Sequence, residues 1–189
     1  MESKNFNKAL NLLNKKLKIN NMFLEIICVG GFVLDYNNIR STYDIDGFYK
    51  SDEKLECLIK EVGDELKINH DGEIWLNNSV ANLNDPPSKK ICKINNTFSN
   101  ITLYIPPLEY ILGMKLKSMR DQDVEDIGLI IKKLKIKSPD MLEKTLMQYD
   151  FVNIDIAILL EAFSYAYGMD WLENYIRNNY VIDKENPRN

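Results

Sequence analysis

The sequence predicts an α/β (α+β) fold, in which a small mixed sheet flanked by helices is followed by a C-terminal helical bundle. Short apolar runs alternate with helical periodicities as far as Ile105, and every segment after Pro106 has helical spacing. The 189 residues are 45% hydrophobic and 28% charged, which is typical of globular proteins. We therefore expect an α/β lobe over residues 1–105 and a helical lobe over residues 106–189.

The first segments predict a helix, a buried strand and a glycine turn. Apolar side chains recur at helical spacing from Phe6, which predicts an amphipathic helix ending near Asn20. The apolar run Met22–Val29 is rich in β-branched residues and predicts a buried strand. Gly30 breaks this strand, so a short helix, FVLDYNNI, and a second strand, YDIDGFY, should follow.

The remainder of the first half predicts two helices and a hairpin. Residues 51–66 carry apolar side chains at helical spacing, with Ser51 or Asp52 available as the N-cap. Residues 73–83 predict another short helix. The runs Lys90–Ile94 and Ile101–Ile105 are joined by a turn-rich segment and predict two antiparallel strands.

The second half predicts a succession of helices. Pro106 and Pro107 open the first, LEYILGMKLKSM, and the acid-rich segment 121–126 opens the second. Ser138 and the proline that follows it start a third, and two more helices flank Gly168.

Charge and cysteine content restrict the class of protein only mildly. A net charge of −4 is compatible with a local basic groove for nucleic acid. Cys28, Cys57 and Cys92 are widely separated, which argues against a disulfide framework or a zinc cluster and suits a reducing cytoplasm. No segment reaches the roughly 18 consecutive apolar residues of a membrane span, so we expect a cytoplasmic protein without membrane contact.

Two short motifs suggest a phosphate site beside a metal site. Asp44 and Asp46 are two residues apart, so on a strand both carboxylates point to one face and can converge on Mg²⁺. Gly30 and Gly31 lie at a strand-to-helix turn, where a phosphate can approach the backbone. Each motif alone has an ordinary alternative, a structural turn or a solvated strand end, and the combination is more specific.

The segment GGFVLDYNNIRSTYDIDG resembles the signature of the DNA polymerase beta type nucleotidyltransferase superfamily, a glycine pair followed after a spacer by an aspartate pair. It is most similar to minimal bacterial nucleotidyltransferases of the AbiEii and Men-type toxin group, where an arginine and a threonine commonly precede the aspartates, as Arg40 and Thr42 do. A second block, PPLEYILGMKLKSMRDQDVEDIGLII, is similar to a downstream segment of that group, and its matching lysine and aspartate are Lys115 and Asp126.

The resemblance implies a nucleotidyltransferase fold and the transfer of a nucleotidyl group from an NTP, such as ATP, to an acceptor hydroxyl. The implied catalytic residues are Asp44, Asp46, Lys115 and Asp126. The implied nucleotide-binding residues are Gly30, Gly31, Arg40 and Thr42, and Mg²⁺ would be held by Asp44 and Asp46. The implied acceptor is the 3′ end of tRNA or another RNA, and the implied setting is a toxin held in check by an antitoxin protein.

Several of these residues have plainer alternatives. Lys115 can be an exposed helix lysine, and Arg40 can be solvated rather than bound to phosphate. Asp126 follows Asp123 by three, so the two aspartates can orient Lys115 or Arg120, or can merely complement the helix dipole.

Two departures from the superfamily pattern keep other functions open. Many members have a serine after the first glycine, whereas this chain has Gly31 and then Phe32, so phosphate would be bound by backbone amides. The strand Ile101–Ile105 lacks the third carboxylate of many members, for which Asp126 is a substitute. The alternatives are a catalytically silent nucleotide-binding or antitoxin-like module, and a nucleotidyltransferase that modifies a protein or small-molecule hydroxyl.

Overall fold

The computed structural model describes residues 3–69, 72–82, 85–118 and 120–179. It divides into two compact units, Met1–Ile111 and Leu112–Asn189. The boundary between the units falls inside a helix, whereas the lobe boundary expected from the sequence was at Pro106. The lobes 1–105 and 106–189 therefore stay a prediction.

The first unit contains a sheet and three helices that the sequence patterns locate closely. In chain order its elements are α1 (Ser3–Ile19), β1 (Leu24–Val29), α2 (Gly30–Tyr36), β2 (Ile45–Phe48), α3 (Glu53–Leu66), β3 (Leu76–Asn77), β4 (Lys93–Asn95) and β5 (Ile101–Ile105). Single 3₁₀ turns precede β4 at Ser79–Asn82 and Lys89–Ile91. The Asp52 carboxylate caps α3 by accepting a 2.8 Å hydrogen bond from the backbone N–H of Leu55.

The sheet is mixed, as predicted, with the strand order β3-β2-β1-β5-β4. Strand β1 is antiparallel to β2 and parallel to β5, and β2 is parallel to β3. In β5, Ile101, Leu103 and Ile105 are buried while the residues between them are partly exposed. One face of the sheet therefore contributes to the core together with the buried sides of α1 and α3, and the other is partly open.

The helix predicted over residues 73–83 is wrong. Within the described part of this segment the chain forms β3 and a 3₁₀ turn, while Leu83 lies outside the described residues. Leu76 pairs with Ile45 of β2, and the buried indole of Trp75 donates a 2.9 Å hydrogen bond to the carbonyl of Ile59. These tertiary contacts override a weak local helical preference.

The second unit contains helices in the order that the sequence predicts. Helix α4 (Leu108–Ser118) crosses the unit boundary, and a 3₁₀ turn (Asp121–Asp123) leads into α5 (Val124–Lys133). The remaining helices are α6 (Pro139–Met147), α7 (Ile156–Tyr167) and α8 (Met169–Asn179). No helix within the described ranges has both the length and the apolar character needed to cross a membrane.

Close packing in the second unit is set by small residues and aromatic rings. A Cβ added at Gly128 of α5 would lie 2.8 Å from the carbonyl oxygen of Tyr165 in α7, so glycine permits this close approach. Gly168, with φ of +89°, separates α7 from α8. The Trp171 ring stacks on Phe163, with centroids 4.7 Å apart, and joins α8 to the buried face of α7.

Candidate active site

Gly30 and Asp46 lie against each other at the end of β1. Val29 is paired with Asp46 across the antiparallel strands, and Gly30 follows with φ of +61°. A Cβ built on Gly30 would lie 2.7 Å from the Oδ2 atom of Asp46. A residue other than glycine would therefore suffer backbone strain and displace the carboxylate.

Gly31 brings Thr42 and Arg40 to the same turn. A Cβ on Gly31 would lie 2.6 Å from the hydroxyl oxygen of Thr42 and 3.4 Å from the Nη1 atom of Arg40. Thr42 is buried, whereas Arg40 is exposed and donates a 2.9 Å hydrogen bond to the carbonyl of Ser41. The four residues predicted to bind nucleotide thus surround one turn of the first unit.

Asp44 is oriented by a hydrogen bond rather than by a strand. Strand β2 begins at Ile45, so Asp44 lies in the bend before it and the strand-alternation argument holds for Asp46 alone. The Thr42 hydroxyl donates a 3.0 Å hydrogen bond to the Oδ1 atom of Asp44. Thr42 therefore holds the Asp44 carboxylate beside the glycine turn.

The donor set around these aspartates is suited to Mg²⁺. Mg²⁺ prefers oxygen ligands and is usually held by one or two carboxylates together with substrate phosphates and water. Asp44 and Asp46 are both partly exposed and supply two such carboxylates. Among the described residues there is no cluster of three or more His, Cys, Asp or Glu side chains that could hold a metal ion.

Lys115 and two aspartates form a buried ionic cluster in the second unit. The Lys115 ammonium lies 2.6 Å from the Oδ1 atom of Asp123 and 2.7 Å from the Oδ2 atom of Asp126. All three residues are buried, with 7%, 1% and 2% of their surfaces exposed. The exposed-lysine alternative for Lys115 is therefore wrong, and Asp126 does more than complement a helix dipole.

Asp123 is the center of this cluster, although the sequence motifs pointed to Asp126. Its Oδ2 atom accepts 2.9 Å hydrogen bonds from the hydroxyl of Ser118 and from Nε of Arg120. Burial alone would raise the pKa of the Asp123 carboxyl, but hydrogen bonds from Arg120 and Lys115 hold this pKa below its usual value. The three-residue spacing of Asp123 and Asp126 was the available sequence signal for this residue.

Asp35 is a further acid near the glycine turn that the sequence motifs did not indicate. Its Oδ2 atom is buried and makes no hydrogen bond within the described part of the chain. Burial raises the pKa of this carboxyl, and the charge of Arg40 opposes the shift. No motif indicated this residue, because Asp35 lies among apolar residues of a short helix.

A family model described as "Nucleotidyltransferase of unknown function (DUF6036)" matches residues 4–171. The chain belongs to this family. The match to the DUF6036 nucleotidyltransferases includes both the glycine and aspartate turn and the Lys115 cluster, and it confirms the predicted reaction class at the level of the family. No curated protein and no solved structure matches the chain. The closer likeness to the AbiEii and Men-type group stays a prediction.

Proposed function

We propose that the protein is a Mg²⁺-dependent nucleotidyltransferase that moves a nucleotidyl group from an NTP to the hydroxyl of a macromolecular acceptor. The observation that carries this proposal is the contact between the Gly30 turn and the Asp46 carboxylate, which is too close for any Cβ. Membership of the DUF6036 nucleotidyltransferases supports the reaction class.

In the first unit, each residue around the turn has a task in this reaction. Asp44 and Asp46 would hold Mg²⁺, which neutralises triphosphate charge when bound. The Thr42 hydrogen bond fixes the Asp44 carboxylate, and the Arg40 guanidinium is suited to phosphate oxygens. The acceptor oxygen attacks the α-phosphorus as the bond to pyrophosphate breaks, and the hydroxyl proton is released.

The cluster of the second unit has a supporting role in the proposal. Lys115 would neutralise charge on the NTP phosphates, as the motif likeness implies. An ammonium group has three N–H donors, and two of them face Asp123 and Asp126. We assign Asp123 and Asp126 the role of positioning this ammonium.

The acceptor and biological setting rest on the motif likeness alone. The arginine and threonine before the aspartates, together with the Lys115 block, support an RNA acceptor, with the 3′ end of tRNA first. The same likeness supports a toxin whose activity is blocked by a cognate antitoxin. A protein or small-molecule hydroxyl is the alternative acceptor.

One observation favours a second function, a catalytically silent nucleotide-binding or antitoxin-like module. Among the described residues no group of three or more His, Cys, Asp or Glu side chains could hold a metal ion, and β5 carries no acid. Such a module would bind NTP at the glycine turn and act through protein contacts.

The test is transfer of label from each α-labelled NTP, with Mg²⁺, to total RNA, protein extract or an aminoglycoside. Asp44→Asn and Asp46→Asn remove one carboxylate charge each from partly exposed positions, and we expect each to reduce transfer at least about 100-fold. Asp140→Asn makes the same chemical change at an exposed position of α6 and should retain activity. Label transfer that persists in both Asp44→Asn and Asp46→Asn would contradict the proposed site. NTP binding without transfer to any acceptor would instead favour the catalytically silent module.

A further inference from the structure

We propose that a groove on the open face of the first unit's sheet binds the base and ribose of the donor NTP. The groove has a volume of about 710 Å³, within the range of small-molecule sites. Its floor includes Ile27 and Phe48, and Phe23 lies at its rim. The inference rests on the proposed function, because it assigns the rest of the nucleotide whose phosphates would lie at Asp46.

The groove and the Asp46 carboxylate are on the same face of the sheet. Val29 pairs with Asp46 and Ile27 pairs with Phe48, and paired residues of neighbouring strands point to one face. Asp46 and Phe48 are two residues apart in β2, which corresponds to roughly 7 Å along a strand. This separation is comparable with the span of a ribose, so a nucleotide with its α-phosphate at Asp46 reaches the groove.

The charges of the groove favour a neutral group over a polyanion. Two acids, Glu25 and Asp85, and two lysines, Lys50 and Lys89, contribute to its lining. Lys89 is already engaged, because its ammonium lies 2.7 Å from the Glu25 carboxylate and 4.5 Å from the center of the Tyr104 ring. Single-stranded RNA requires a positive track along its backbone, whereas a base and a ribose require none.

Phe23 provides the stacking surface. It is 78% exposed, although it directly precedes a buried strand, so its ring is not used in the core. Aromatic side chains stack on nucleobases irrespective of base identity. A base in the groove therefore gives this exposed ring an apolar contact.

Glu25 is positioned to accept a hydrogen bond from the base. Its carboxylate accepts 2.7 Å hydrogen bonds from the Lys89 ammonium and the Tyr104 hydroxyl, which fix its position. An ionised carboxylate only accepts hydrogen bonds. Glu25 therefore favours a base with an exocyclic amino group, such as cytosine, over uracil, which presents a carbonyl at the same position.

The test is calorimetric binding of CTP, UTP and tripolyphosphate to the full chain with Mg²⁺, the last being a probe without base or ribose. Phe23→Ala should weaken CTP binding between about fivefold and 150-fold and leave tripolyphosphate binding unchanged. Ile19→Ala removes an equally exposed apolar side chain outside the groove and should change neither affinity. Glu25→Gln should bring the CTP and UTP affinities together from a difference of roughly tenfold.

The outcomes separate failure of the inference from failure of the proposed function. If Phe23→Ala binds CTP as tightly as the unaltered protein while Asp46→Asn does not bind it, the groove assignment is wrong and the phosphate site stands. If Phe23→Ala weakens binding of a short RNA oligonucleotide but not of CTP, the groove holds the acceptor instead. If neither CTP nor tripolyphosphate binds the unaltered protein, both the proposed nucleotidyltransferase function and the groove assignment are contradicted. Equal affinity of the unaltered protein for CTP and UTP would overturn the role of Glu25.

Discussion

The ammonium nitrogen of Lys115 lies 2.6 Å from a carboxylate oxygen of Asp123, and both side chains are buried in the second unit. Asp126 contacts the same ammonium at 2.7 Å. A buried charge is tolerated when its partners are present and is strongly destabilising when one is removed. Lys115 therefore has a structural task in addition to the catalytic task proposed for it.

Replacing Lys115 with methionine should destabilise the second unit by about 3–5 kcal/mol, because two buried carboxylates lose their counter-ion. The measurement is urea unfolding followed by the fluorescence of Trp171, which lies in this unit, with Trp75 replaced by phenylalanine in the background. Lys117→Met is the matched control, since Lys117 is an exposed lysine of the same helix. Equal unfolding free energies for the two variants would contradict the structural role.

Acid should weaken the second unit through Asp123. Hydrogen bonds hold the pKa of this carboxyl below its usual 3.8 in the folded protein, so its stabilisation is complete above about pH 5. That contribution is lost as the pH falls from 3.8 through the lower folded-state pKa. The unfolding free energies of the unaltered protein and of Asp123→Asn should therefore differ at pH 7 and converge as the pH falls through the folded-state pKa. A difference that does not change over this range would show that Asp123 is not the titrating group.

The sequence located most elements because local patterns and tertiary structure agree there. The apolar run before Gly30 and the helical spacing of residues 51–66 both persist in the fold, as β1 and α3. Residues 73–83 failed because β3 depends on a pairing with β2, and this long-range contact leaves no periodic signal in two residues. The observed bounds differ from the predicted ones mainly at two elements. Helix α2 includes the glycines that were expected to precede it, and β2 begins at Ile45, after Asp44.

The candidate site could be predicted only in part from the sequence, because its contacts also depend on the tertiary structure. The glycine and aspartate motifs named Gly30 and Asp46, but the contact between them requires the antiparallel register of β1 and β2. The task of Thr42 depends on a hydrogen bond to Asp44 that spacing alone does not define. Burial of Lys115 was unpredictable, because a lysine on a helix is exposed in most proteins.

Replacing Thr42 with valine should lower nucleotidyl transfer by about 10- to 100-fold, the usual effect of losing a residue that orients a metal ligand. Valine keeps the buried shape but cannot donate the 3.0 Å hydrogen bond to Asp44. The measurement is the dependence of transfer on Mg²⁺ concentration, and the midpoint should rise. Thr145→Val, which removes a hydroxyl bonded to the carbonyl of Met141, is the control and should leave that midpoint unchanged.

Replacing Gly30 with alanine tests the contact on which the proposed site depends. The new Cβ would lie 2.7 Å from the Asp46 carboxylate oxygen, and the φ of +61° adds strain of about 1–2 kcal/mol. Gly72→Ala is the matched control, because Gly72 has φ of +87° and a Cβ there meets no described atom within 4 Å. Both variants should lose a similar amount of stability in thermal unfolding.

The two glycine variants should differ in transfer, since only Gly30→Ala shifts the carboxylate. A displacement of about 1 Å near the reacting atoms costs on the order of 100-fold in rate, so Gly30→Ala should fall by this amount while Gly72→Ala retains its rate. Adding Asp46→Asn to Gly30→Ala should then have little further effect, because both changes act on one carboxylate. Rates that fall equally in the two glycine variants would mean that backbone strain, rather than the position of Asp46, controls the reaction.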